Sequence, residues 1–446
     1  MDLLCTAYGG GAASDDDDDD DCRSSGGSDR KQLGAPPSKR RRSEGFVGSH
    51  RPPPPRPAEA AVAAPPLVAG RYVSKRERAI LAAGSSRVSY PAPSPTTTIP
   101  SAAIPSPVVG TISDSDLPAD VLTPSRYPAK NASSNKSPTK LSVSLVGHTK
   151  AVNSVQWSQS HGHLLASAGM DQAVHIWNVW NTKQPKARIF KYHKAAVKDV
   201  RWTPNGLSLL SCGFDCSSRV VDVEKGEETN IFKEDQVVEV IKFHPNDPNL
   251  FLSGGSKGFL RLWDIRMGKM VKEYQRSLGA ILDIEFSADG KHFISSSDTS
   301  KSNISENCII IWDVVRQVPL SNQVYTEAYT CPCVRYHPTD ASFVAQSNGN
   351  YIAIFSARPP FKLDRYRRYE GHGVWGFPIK CNFSLDGREL TSGSSDGSIY
   401  LYDYKTARLL RKLKAFNEAC IDVVYHPVKP NVIASCSWNG EVSVFE

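Results

Sequence analysis

The sequence predicts an all-β protein, a seven-bladed β-propeller preceded by a long disordered N-terminal region. Three observations carry this reading. A unit of about 43 residues recurs seven times from residue 145 to the C-terminus, and its closing aromatic or apolar residue falls at Trp177, Val221, Trp263, Trp312, Phe355, Tyr402 and Phe445. The gaps between these markers are 44, 42, 49, 43, 47 and 43 residues; a period in this range, with apolar alternation inside each unit, marks a radial array of small sheets. Finally, composition changes near residue 140: residues 1–140 hold 19 of the 31 Pro, five aromatics and no Trp, while the remainder holds all eight Trp.

Each unit reads as four short strands. In the first, Gly147-His148 precedes Val152, Val155 and Trp157, then Leu164-Leu165-Ala166-Ser167, Asp171, and finally Val174, Ile176 and Trp177. Turns such as Thr203-Pro204-Asn205-Gly206 and Ser287-Ala288-Asp289-Gly290 split the apolar runs, which is the hairpin signal. The last unit ends at Glu441–Glu446, one strand short of a blade, and Leu141–Val146 is a strand-like run with no earlier partner. Pairing the two closes the ring and removes an exposed edge. No run of 18 apolar residues exists, so no membrane span is expected, and the absence of a charged n-region before an apolar core argues against secretion.

A His lies about 23 residues before an Asp at His148/Asp171, His193/Asp215 and His372/Asp396, and Ser167 and Trp177 complete the set in the first unit. Trp, Ser, His and Asp can chain hydrogen bonds across neighbouring strands and lock one blade's register. The same trio could form a hydrolase triad, but it recurs once per blade, whereas a catalytic set occurs once. These residues are assigned a structural role, and no catalytic residue, cofactor or metal site is expected.

Gly147-His148, Ile176-Trp177, Trp263-Asp264 and Trp312-Asp313 resemble the Gly-His and Trp-Asp dipeptides of WD40 repeats. Trp263–Arg266 with Gly268, Val271, Glu273-Tyr274 and Leu278-Gly279-Ala280, and Lys194–Val200, resemble the propeller of the pre-mRNA-processing factor 17 family of splicing factors. The resemblance covers nearly all of residues 141–446, and it implies a propeller that acts as a scaffold in a splicing-type ribonucleoprotein. The blades also depart from the pattern. Val221 replaces Trp in the second unit, while the third and fifth lack both the His and a clear Asp, with Lys257 and Gly349 in the Asp position; those blades are expected to rely more on apolar packing. In the fourth unit Asp298 lies 14 residues before Trp312, and Thr299–Glu306 reads as a polar insertion in a turn, either idle or a partner contact.

Residues 1–140 cannot bury enough apolar surface to offset ordering entropy. Asp15–Asp21 is a solvated acidic tract or a dock for a basic partner, and Lys39-Arg40-Arg41-Arg42 resembles a nuclear import signal. Lys75–Arg78 leads into Ala79–Ala83, which is free linker or a helix formed on a partner. The formal net charge is +7, but residues 141–446 hold 35 Lys and Arg against 31 Asp and Glu, so charge alone does not demand phosphate binding by the propeller. Arg365, Arg367 and Arg368, between Tyr366 and Tyr369, form its densest basic cluster: a solvated strand face or an RNA contact. Ten scattered Cys include no Cys-x-x-Cys pair and fit buried thiols in a reducing compartment.

The functional expectation is a non-enzymatic nuclear scaffold, a monomeric propeller within a larger complex, binding proteins and in one reading RNA, with no membrane contact. The alternative is a substrate receptor for a cullin-type ubiquitin ligase, resting on the Trp-Asp-x-Arg box Trp263–Arg266. The expected contact face is where the turns before the Asp positions converge. Met170, Phe214 and Trp438 precede Asp171, Asp215 and Asn439, while Asn153, Lys198 and Glu239 lie four residues before Trp157, Trp202 and Phe243.

Overall fold

Apolar alternation folds each unit into four antiparallel strands, and the seven resulting sheets close into a ring. A computed structural model describes residues 107–114, 138–298, 308–323 and 330–446. Asp15–Asp21, Lys39–Arg42, Lys75–Ala83 and the Thr299–Glu306 insertion lie outside the described residues.

Blade one comprises Val152–Trp157, Leu164–Gly169, Val174–Asn178 and Lys186–Phe190. Blade two is Val197–Trp202, Ser208–Gly213, Ser217–Asp222 and Glu228–Lys233. Blade three is Val238–His244, Asp247–Gly255, Leu260–Asp264 and Lys269–Tyr274. Blade four is Ile281–Phe286, His292–Ser297, Ile309–Asp313 and Pro319–Gln323. Blade five is Cys333–Tyr336, Ser342–Ser347, Tyr351–Ser356 and Leu363–Glu370. Blade six is Cys381–Phe383, Glu389–Ser392, Ser398–Asp403 and Leu409–Lys414.

Blade seven joins Cys420–Tyr425, Ile433–Ser437 and Val442–Phe445 to Leu141–Leu145, its outer strand. That strand pairs Val143 with Val444, Ser144 with Ser443 and Leu145 with Val442. The closure read from the two ends is therefore present. Thr139 and Lys140 add backbone hydrogen bonds to the Glu446 carbonyl at 2.8 and 3.0 Å.

The first strands of successive blades face one another around the axis, and blade seven returns to blade one. Between each adjacent pair lies one apolar cluster. Leu145, Trp157 and Trp177 fill the seam that closes the ring, and Tyr274, Phe293 and Trp312 that between blades three and four. Burying one such aromatic contributes on the order of 2–3 kcal/mol, so the seams hold the fold.

One stretch of the tail departs from the expectation of disorder. Pro107–Asp114 lies along the outer strand of blade one: Val109 and Gly110 donate to the Ala187 carbonyl at 3.1 and 3.0 Å, and Ile189 donates to the Pro107 carbonyl at 2.9 Å. Buried Arg188 donates to the Gly110 carbonyl at 2.7 Å, and Ile112 packs on the seam between blades one and two. Ile112 is half-buried, while Val108 is 48% exposed.

Candidate interaction face

The turn between the second and third strands of a blade lies beside the link entering that blade. Met170 donates to Ala151, Phe214 to Ala196 and Trp438 to Ala419, at 2.8 to 3.0 Å. These turns and links form one face, here termed upper.

In blade one, Trp177 Nε1 donates to Ser167 Oγ at 2.9 Å, Ser167 Oγ lies 2.8 Å from His148 Nε2, and His148 Nδ1 lies 3.0 Å from Asp171. Burial pushes the Asp171 carboxyl up, but the His148 hydrogen bond and charge, with the Thr149 and Ala173 amides, outweigh it and hold the group at about 2. Blade two repeats the chain with Ser211, His193 and Asp215. Ser167 is fully buried and its oxygen already accepts the indole N–H, so the Ser-His-Asp set cannot reach a substrate. His148, Asp171 and His175 also bring ligand atoms within 4.8 Å of one another, but both His148 nitrogens are engaged in this chain.

Three assignments are corrected. His372 does not hydrogen-bond Asp396: its Nδ1 contacts the Tyr402 hydroxyl at 2.9 Å and its Nε2 lies 2.6 Å from Gln346 Nε2. Tyr402 stands where blades one, three and four carry Trp, and its hydroxyl captures the ring; Asp396 turns to Lys412, Tyr400 and the Ser398 amide. Blade three does not fall back on apolar packing. Glu234 sits 19 residues before Ser253, the spacing of His148 and Ser167, and accepts from Ser253 Oγ at 2.6 Å while Trp263 Nε1 donates to the same Oγ at 3.0 Å. Arg261 neutralises it, binding Glu234, Asp235 and Glu273 at 3.2, 2.6 and 2.8 Å. Asn153, expected at the rim, is buried and donates to the Val197 carbonyl at 2.6 Å.

The remaining upper-face residues divide. Lys198, Phe214 and Glu239 come together: the Lys198 ammonium lies 2.9 Å from Glu239 and 5.3 Å from the Phe214 ring centroid, and Phe214 is 40% exposed. Met170 is half-buried. Trp438 plugs a seam, packing edge-on against Phe377 at 5.4 Å. Trp375, on the link into blade six, was not foreseen; it is 79% exposed and its φ is +48°.

Below this face, the first strands line the axis with charges that the sequence reading also missed. Asp199, Asp283, Glu285 and Asp422 interleave with Arg201, Lys242, Arg335 and Lys380. Arg201 meets Asp199 at 2.9 Å, Lys242 meets Glu285 at 2.6 Å, Arg335 meets Asp283, and Lys380 bridges Asp422 and Asp199 at 3.4 and 3.7 Å. Asp199 is held at about 2: burial pushes it up, but Arg201 and Lys380 outweigh that. Four acids and four cations balance, so the axis is a neutral network. The sequence signal was charge inside otherwise apolar first strands, such as Asp199 and Arg201 in blade two and Asp283 and Glu285 in blade four.

The cysteines described are free and, apart from half-buried Cys216, buried.

Comparison with known proteins bears on this geometry. The WD domain, G-beta repeat family matches residues 139–178, 184–222, 226–264 and 364–403. The chain is 39% identical over 310 residues to mouse "WD repeat-containing protein 25", covering 69% of this chain and 58% of that protein. It is 32% identical over 304 residues to human "Pre-mRNA-processing factor 17", covering 67% and 51%. The protein of the same name from Saccharomyces cerevisiae is 28% identical over 311 residues, covering 69% and 67%. The chain spans just over half the length of the two mammalian proteins. It is a WD40-repeat protein that resembles WD repeat-containing protein 25.

Proposed function

We propose that this WD40-repeat chain is a non-enzymatic nuclear scaffold that docks proteins of a pre-mRNA splicing complex on its upper face. The observation that carries the reading is the pairing of an upper face bearing exposed Trp375 and Phe214 with a propeller resembling that of pre-mRNA-processing factor 17. Large apolar side chains at a rim favour a covering partner, and aromatic anchors supply much of the energy in such contacts. Affinity purification of the full chain from nuclei tests it: spliceosomal proteins and small nuclear RNA support the reading, and their absence overturns it.

The ubiquitin-ligase reading has less support. Asp264 accepts the Arg266 and Met267 amides at 2.8 and 3.3 Å and holds the Arg266 guanidinium at 2.8 Å. Asp313 closes its own turn the same way, on Val315 and Arg316, so the box is accounted for by ordinary turn capping.

Nuclear entry is assigned to Lys39–Arg42, four consecutive cations that an acidic groove can bind in extended form. Changing all four to Ala is expected to shift the imaged protein to the cytoplasm. Full nuclear retention would mean entry on a partner instead.

A further inference from the structure

The outer strand of blade five is built unlike its counterparts. Where the third and outer strands pair in blades one, two, three, four and six, the register skips one residue: Ile176 and Trp177, for example, face Arg188 and Lys186. In blade five Ala353 faces Arg368 but Ile354 faces Asp364, so three residues, Arg365, Tyr366 and Arg367, leave the ladder. A bulge of this kind re-aims side chains.

The protrusion is ordered. Asp364 accepts the Tyr366 amide at 3.0 Å and pairs with the Arg367 guanidinium at 3.5 Å. That guanidinium lies 5.3 Å from the Tyr404 ring centroid and 3.4 Å from the Lys405 carbonyl, which ties the bulge to blade six. The Tyr366 side chain is 101% exposed, with both ring faces open. Exposed Arg365, Lys405 and Arg408 flank it.

Charge concentrates here. Residues 358–370 and 404–414 hold ten Lys and Arg against two acids, so the rest of 141–446 holds 25 against 29. The near-neutral propeller is thus a basic strip on an acidic remainder. Lys412 is paired with Asp396 at 2.8 Å and adds least to the strip.

An acidic peptide needs cations alone; a fully open aromatic ring set among them matches a ligand that alternates phosphates with flat bases. We infer that Arg365, Tyr366 and Arg367, with Lys405 and Arg408 of the next blade, bind single-stranded RNA, Tyr366 stacking on an unpaired base while the cations hold flanking phosphates. The site lies on outer strands and does not use Phe214 or Trp375, so its failure is distinguishable from failure of the docking reading.

The test is fluorescence anisotropy of a short labelled uridine oligonucleotide titrated with the full chain over a salt series. Tyr366→Ala is expected to weaken binding roughly 5- to 100-fold with the salt slope unchanged, and Tyr366→Phe to keep the affinity. Arg365→Ala with Lys405→Ala is expected to reduce the slope by about 1.4. All three side chains point to solvent, so unchanged melting accompanies each variant. Wild-type affinity in Tyr366→Ala overturns the assignment. So does absence of binding by the wild-type chain across the salt series.

Discussion

Histidines hold the lower side of the ring as well as the upper. Phe243-His244-Pro245, Tyr336-His337-Pro338 and Tyr425-His426-Pro427 end the first strands of blades three, five and seven. Each ring reaches the next blade: His244 Nε2 to the Gly290 carbonyl at 3.0 Å, His337 to Gly387 at 2.9 Å, His426 to Gly162 at 2.8 Å. In His337 and His426 the Nδ1 accepts two backbone amides, so the Nε2 carries the proton and donates. Gly387 has φ +71°, and a Cβ there would lie 2.4 Å from His337 Cε1. Gly387→Ala is expected to cost ~1–3 kcal/mol through strain and clash, and His337→Ala about as much through the orphaned polar groups. Urea midpoints check both. Burial drives His175 down to about 3, and His372 and His426 down to about 4, from 6.5. Between those values the unfolded chain binds more protons, so this stability is complete above about 6.5 and is lost as pH falls toward 4. The Asp171 and Asp199 contributions, present above 3.8, are lost later, as pH falls through about 2. The midpoint should therefore drop between pH ~7 and ~4; a flat profile there would contradict the assigned neutral histidines.

At the scale of elements, the period and the incomplete last unit were enough to read seven blades and their closure, because strand alternation and turn residues act locally. What the sequence did not reveal depends on juxtaposition. Glu234 substitutes for a histidine only because Arg261 lies opposite it on the third strand. Asp199 meets Lys380 across 181 positions of chain. Pro107–Asp114 sits in a Pro-rich stretch whose composition signals disorder, yet Arg188, Ala187 and His163 offer it an edge. Shortened chains test these assignments by thermal unfolding. Removing residues 1–104 should leave the propeller's melting unchanged. Removing 1–135 should lower it, by about 1–3 kcal/mol for the stranded polar groups of Arg188, while unfolding stays cooperative. Removing 1–147 takes the closing strand, bares an edge and is expected to aggregate. Cooperative melting of that last chain would refute the closure.

For the molecule as a whole, the ring separates three jobs. The axis is a neutral, buried network that fixes strand register, and breaking a pair such as Arg335–Asp283 would strand a buried charge. The outer strip of blades five and six carries the surplus of positive charge. The upper face presents aromatic anchors. Part of that face was legible in the sequence: Lys198, Phe214 and Glu239 follow from repeat offsets and meet in space. Trp375 was not, since the run from His372 to Phe383 is two residues longer than those from His148 to Trp157 and from His193 to Trp202, which shifts the repeat offsets. Purification of the Phe214→Ala, Trp375→Ala double variant beside the wild-type chain tests the scaffold assignment most directly. Trp375 is largely exposed and Phe214 is 40% exposed on the rim, so melting should change little, while recovery of spliceosomal proteins should fall sharply. Equal recovery by the two chains would contradict docking on the upper face.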